Sequence, residues 1–145
     1  RLNFLNPDFI NGMLLNVPYG QEMAIHSDFL LINGQRAHLP MVDMSTSAKS
    51  QLEKLRSLFA NEFFQTIAWF ASGRSFHGYG QSLLTQSDWV HFMGLLLLAN
   101  QPQFPNMVDP RWIGHRLLAG YASLRWTKNT QFYIGLPIRL DINNS

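Results

Sequence analysis

Phe63-Phe64-Gln65-Thr66-Ile67-Ala68-Trp69-Phe70-Ala71, running into Ser72-Gly73-Arg74-Ser75-Phe76-His77-Gly78-Tyr79-Gly80, is the stretch on which the fold turns. The near-continuous apolar run, rich in aromatic and β-branched residues, reads as an inner strand from Phe63 to Ala71. A Gly-containing turn follows, and the chain leaves along a second strand from about Phe76 to Gln81. The turn gathers a hydroxyl, a guanidinium, an imidazole and flexible glycines within a few residues. Arg74 offers a planar fork of donors suited to phosphate oxygens, and the glycines let backbone amides approach an anion. His77 can donate to a phosphate or a sugar, or act as acid or base near neutral pH. The plainer reading is a polar hairpin turn with a solvated histidine.

Working outward, Phe29-Leu30-Leu31-Ile32, then Asn33-Gly34, then Arg36 to Asp43 predicts a tight hairpin, because Asn-Gly favours positive φ at both central positions. Pro40 points to an edge or bulge in the second strand. Glu22 to His26 reads as an edge strand, and residues 1–20 as irregular structure or a short strand. Ser45-Thr46-Ser47 supplies candidate caps for a helix from about Ser47 to Asn61, with Ala48, Leu52, Leu55 and Phe59 on one face. Ser87 and Asp88 cap a second helix, Trp89 to Asn100, which is apolar almost all round. Such a helix is buried on several sides or packs against a partner or a missing domain. A proline-containing loop follows to Met107, then a short extended Val108-Asp109-Pro110. Arg111 to Leu118 reads as a helical turn or short helix stopped by Gly120. Tyr121 to Thr127 is a strand, Lys128-Asn129-Thr130 a turn and Gln131 to Leu140 a last strand. Helices segregated from a mostly antiparallel sheet predict a two-layer α+β domain spanning 1–145.

Composition narrows the class. The chain has 145 residues, 46% hydrophobic and 14% charged, with a formal net charge of +2 and no cysteine. That apolar content excludes a disordered chain, and the absence of cysteine excludes disulfides and thiolate metal sites. The charge is too mild to argue for nucleic acid, so any phosphate-binding surface must come from local clustering. The longest apolar helix is short of the roughly 20 residues that span a bilayer, so the chain is expected to be free of the membrane and cytoplasmic. It starts on Arg1 rather than Met, as a fragment or processed chain would.

Asp43 and Asp109 both stand where apolar extended segments end. Two carboxylates at one sheet edge can hold Mg²⁺ or Mn²⁺, hard cations that bridge to substrate phosphates. Each has a plainer role: Asp43 as an acid at a helix N-terminus, Asp109 as the start of an Asp-Pro turn. Arg116, Arg125 and Lys128, with Arg111 and His115, make the last third basic. They interleave with Trp112, Tyr121 and Trp126, a combination that can track a nucleic-acid backbone and stack bases. Trp112 and Trp126 are more often core than stacking platforms, and the plainer role of His115 is a satisfied core histidine. His26, His38 and His91 have no ligand spacing, and no Walker-type ending follows the glycines.

The run Ser72-Gly73-Arg74-Ser75-Phe76-His77 resembles the second motif of the archaeo-eukaryotic primase superfamily, the primase-polymerases. Met41-Val42-Asp43-Met44-Ser45 resembles its first motif, and Val108-Asp109 its third. Trp112-Ile113-Gly114-His115-Arg116-Leu117 and Ser123-Leu124-Arg125-Trp126-Thr127 resemble small bacterial primase-like proteins of the superfamily. The resemblance implies an RRM-like catalytic core and nucleotide binding by Ser72, Arg74 and His77. It further implies a divalent metal on Asp43 and Asp109, catalysis by Asp43, Asp109 and His77, and nucleoside triphosphates with a DNA or RNA template as partners. Ser45 stands where the family has its second acid, and Ser75 where it has glycine. Two family readings stay open: a nucleotidyltransferase for priming in DNA replication or repair, or a degenerate module that binds nucleotide or nucleic acid without turnover. A third is an unrelated α+β protein-interaction domain.

Overall fold

The computed structural model describes residues 7–127 and 135–141. Its first element is α1, Pro7–Leu15, where irregular structure or a short strand was expected. Pro7 suits the first helical position, because its fixed φ is already helical and its missing N–H would have had no partner. Ile10, Met13 and Leu14 fall on one side, and Leu14 is buried. β1 (Ala24–His26) pairs antiparallel with β8 (Ser123–Arg125), which realises the expected edge strand in a shorter form.

β2 (Asp28–Leu30) and β3 (Arg36–His38) make the expected hairpin. The loop differs from the two-residue turn that Asn-Gly predicts. Leu31 N–H bonds Gln35 O, Gly34 N–H bonds Leu31 O, and only Gly34 takes positive φ (81°). This is a three-residue loop with glycine in the left-handed position, the next commonest hairpin solution.

The predicted strand from Arg36 to Asp43 is two strands in two sheets. β3 pairs with β2 and with β7 (Leu84–Thr85). After Pro40, β4 (Met41–Asp43) joins the main sheet, whose order is β4-β6-β5-β9. Pro40 has no N–H for a ladder, so it sits at the corner where the chain changes sheets. The carbonyl of Pro40 still accepts from Gly80 N–H at 2.8 Å.

The single helix expected from Ser47 to Asn61 is split into α2 (Lys49–Arg56) and α3 (Asn61–Gln65). Its N-cap is Ala48, and of the expected Ser/Thr caps only the hydroxyl of Thr46 bonds, accepting from Ala48 N–H. Phe63 and Phe64 therefore belong to a helix. Phe63 joins Phe59 and Phe92 in a ring cluster, while Phe64 packs on Trp69. Tertiary packing of these rings overrides their strand propensity. The inner strand β5 begins at Ile67 and runs to Ser72, and β6 (Ser75–Gly80) returns beside it.

α4 (Gln86–Leu98) starts one residue before the predicted caps. Its cap is Thr85, whose hydroxyl accepts from Asp88 N–H and donates to the Asp88 carboxylate. Trp89, Phe92, Met93 and Leu96 are buried in the core, half of the eight large apolar side chains on this helix. Val90 and Leu98 remain exposed. α5 (Pro110–Ala119) is a full helix where a turn or short helix was expected, and it ends on Gly120 with φ 77°. β9 (Ile138–Arg139) pairs with β5 at Phe70 and Ala71. The predicted Lys128–Thr130 turn and residues 131–134 of the predicted last strand lie outside the described residues. Among the described residues every strand pairing is antiparallel, and the fold is α+β as expected. No helix among the described residues is long and apolar enough to cross a membrane.

Candidate functional site

The β5–β6 hairpin closes on Ser72 paired with Ser75, leaving a two-residue loop of Gly73 and Arg74. Gly73 has φ 65° and Arg74 does not share a positive φ. Glycine at the first central position is the requirement of a II′ hairpin turn, which matches the twist of the flanking strands. Arg74 is thereby presented on an exposed tip, whereas Ser72 and Ser75 are buried.

β6 runs antiparallel to β4 with Asp43 opposite His77, so the end of β4 and the Gly73-Arg74 turn lie at one end of the main sheet. Side chains two apart share a face, which puts Ser75, His77 and Tyr79 on the same side as Asp43. His77 is buried, with Nε2 3.4 Å from Asp43 Oδ1. Its Nδ1 is buried with no hydrogen-bond partner among the described residues. The Tyr79 hydroxyl is in the same position. Burial, and after it the Asp43 carboxylate, push the Tyr79 phenol well above its ordinary pKa.

Asp109 arrives at the same end from a distant part of the chain. Its N–H donates to Asp43 O at 2.9 Å, Val108 forms a β-bridge with Met44, and Ser45 N–H donates to Met107 O. The Asp109 carboxylate also caps α5: Oδ1 accepts from Arg111 N–H at 2.9 Å and Trp112 N–H at 3.1 Å. The turn-starting role considered for Asp109 is thus a helix-capping one. Three segments that carry Asp43, His77 and Asp109 are held together by backbone pairing.

The basic residues are more dispersed. Arg116 is half-buried, and Nη1 donates to Ser123 Oγ at 2.6 Å. Arg125 lies in β8 opposite Ala24, with Nη1 3.7 Å from Glu22 Oε1. Trp126, directly after Arg125, packs edge-on against Phe70 and Tyr79. That contact sets the end of β8 on the His77 side of the main sheet. Trp112 belongs to the core side of α5 and donates its indole N–H to Ser123 O. Lys128 lies outside the described residues.

Among the described residues, no group of three or more His, Asp or Glu side chains is close enough to hold a metal ion. Asp43 and Asp109 nevertheless supply carboxylate oxygens, the donor type that Mg²⁺ and Mn²⁺ prefer. One Asp109 oxygen is shared with the first turn of α5. A cation held by these two carboxylates would have to draw its remaining ligands from phosphate or water.

Two residues of this edge escape a reading of motifs alone. Tyr79 could have been found from its spacing, two positions after His77 on a strand. Asn100 left no such signal: its side chain bonds Met107 and Val108, and only the folded chain brings those groups to it.

A strand end bearing Asp43, a hairpin with Arg74 on its turn and His77 on its second strand, and a bridged segment bearing Asp109 meet at one end of the main sheet of this α+β domain. The chain belongs to the archaeo-eukaryotic primase 1D-like family, whose family model matches residues 3–138. No curated protein and no solved structure matches it.

Proposed function

We propose that the chain binds a nucleoside triphosphate at the Ser72–His77 turn and acts as a nucleotidyltransferase of primase-polymerase type. Its place would be priming in DNA replication or repair, in the cytoplasm, on a DNA or RNA template. The meeting of Asp43, His77 and Asp109 at one sheet end carries this reading. Arg74, exposed at the tip, would grip phosphate oxygens with its planar fork. His77 would donate to a phosphate oxygen from the imidazole edge not turned to Asp43, and Ser72 would hold the turn that presents both. Asp43 and Asp109 would hold Mg²⁺ or Mn²⁺, which supplies neutralising charge to the triphosphate when bound. In the transfer, a sugar hydroxyl oxygen bonds the α-phosphorus and the bond to the bridging oxygen breaks. Pyrophosphate leaves and the hydroxyl proton passes to solvent. Arg116, Arg125 and Lys128 would contact phosphates of the nucleotide or template.

A second reading, binding without turnover, is favoured by Ser45 at the second-acid position and by the Asp109 oxygen engaged in capping α5. Calorimetric titration of nucleoside triphosphates, with and without Mn²⁺, separates the two when paired with an incorporation assay. Arg74→Ala changes an exposed turn residue and should leave the fold intact. Mn²⁺-dependent binding weakened at least about tenfold in Arg74→Ala, roughly 1.4 kcal/mol, is the expected result. His77→Ala should weaken it as well. Incorporation lost in Asp109→Asn, with binding to the wild type retained, supports transfer. Metal-independent binding with no incorporation supports the second reading. A wild type that binds no nucleotide in either condition overturns both.

A further inference from the structure

We propose that Asn100 is a positioning residue that fixes Asp109 beside Asp43; its functional consequence rests on reading this sheet end as a nucleotide site. Asn100 comes after α4 and opens the loop that returns to Val108. Its Oδ1 accepts from Met107 N–H at 2.8 Å and from Val108 N–H at 3.0 Å. Its Nδ2 donates to Val108 O at 2.8 Å. Only one orientation of the amide satisfies all three, since a flipped amide would set NH₂ against two donors.

The intervening loop has little else to place it. Residues 101–106 are exposed throughout, and Gln103 stands at φ 69°, a conformation that side chains other than glycine adopt infrequently. A cavity of about 390 Å³ lies between the loop and α2, bordered by Phe104 and Pro105 on one side and Lys54 and Leu58 on the other. Past the clamp the chain is tightly tied: Met107 O accepts from Ser45 N–H, Val108 bridges Met44, and Asp109 N–H donates to Asp43 O. Asn100 thus joins the end of a buried helix to the segment that carries Asp109. The amide is the side chain this place needs. A carboxylate would keep both N–H partners but set an oxygen against the Val108 carbonyl, and alanine would lose all three bonds.

The test is backbone hydrogen exchange on the wild type, Asn100→Ala and Asn100→Asp, alongside urea unfolding and titration of nucleoside triphosphate with Mn²⁺. The Asp109 amide is the indicator, because its acceptor is Asp43 O and Asn100 does not touch it. In Asn100→Ala that amide should exchange at least about tenfold faster relative to the amides of the β5–β6 hairpin, the size expected for losing one well-made hydrogen bond. Asn100→Asp, which keeps both acceptor bonds, should recover most of the protection. Nucleotide affinity should fall in Asn100→Ala by more than the change in unfolding midpoint accounts for. Unchanged Asp109 exchange in Asn100→Ala, or an acceleration shared by every slow amide, overturns the proposal. Should the alanine variant fail to fold, Asn100→Ser, which keeps one acceptor, takes its place with the same two outcomes. A wild type that binds no nucleotide removes the functional reading, while the Asp109 exchange ratio still decides positioning.

Discussion

Tyr79 packs its ring edge-on against Phe70 and Trp126, and its hydroxyl is buried without a partner among the described residues. A buried hydroxyl with no hydrogen bond has lost its hydration for nothing in return. Tyr79→Phe should therefore be neutral or stabilising at pH 7, by up to about 1 kcal/mol. The same site fixes the behaviour in alkali. The folded pKa lies above the ordinary value of 10.0, so above that pH the unfolded chain releases a proton that the folded chain keeps. Stability then falls as pH rises past 10.0. Urea unfolding across that range should show the decline in the wild type and a shallower one in Tyr79→Phe; parallel curves would remove the assignment. Residue type and strand-end position make Asp43, His77 and Asp109 candidates, each with a plainer role, and the motif order is what groups them. The spacing of Tyr79 from His77 places it on the same strand face, but that its hydroxyl lacks a partner is visible only in the folded chain.

α5 shows how one residue serves an element and a site together. Asp109 caps it through two backbone N–H groups, Pro110 opens it and Gly120 closes it in the left-handed conformation. Asp109→Ala should cost about 1 kcal/mol of stability, the usual worth of a cap, and Asp109→Asn much less, since Asn caps as well as Asp. Equal losses in urea midpoint for the two variants would show that the carboxylate matters to the fold by another route. The difference makes Asp109→Asn the variant for testing chemistry without unfolding α5. Signals for this helix are present in the chain as Asp-Pro and a terminal glycine, enough to place a short helix there. Other elements are less legible. Phe63 and Phe64 have strand propensity, yet their rings are held by Phe59, Phe92 and Trp69 across the core. α1 carries a usable signal in Pro7 and the Ile10–Leu14 spacing, but the surrounding Asn, Pro and Gly mask it.

The molecule changes direction at Pro40, where one extended run passes from the β2-β3-β7 sheet into the β4-β6-β5-β9 sheet. Gly80 lies against this corner: a Cβ there would come within 2.8 Å of the Pro40 ring. The ring is rigid and both backbones are tied by the Gly80 N–H to Pro40 O bond, so neither can give easily. Gly80→Ala should destabilise the protein by about 1–3 kcal/mol, the range for overpacking a close contact. Gly94→Ala in α4 is the control, because nothing lies within 4 Å of the position its Cβ would take. It should stabilise by about 0.5–1 kcal/mol through helix propensity. Similar urea midpoints for the two variants would mean that the corner is not a fixed point of the fold. What short-range chemistry controls is legible along the chain: a glycine-led turn after an apolar strand, an Asp-Pro helix start, a left-handed glycine stop and the order of three motifs. That Asp43 faces His77, that the Asp109 backbone bonds Asp43, and that one strand becomes two at Pro40 emerge only on folding. These arise from register and packing between segments far apart in the chain. Local propensity has no term for such contacts, because their energy exists only once both partners are in place.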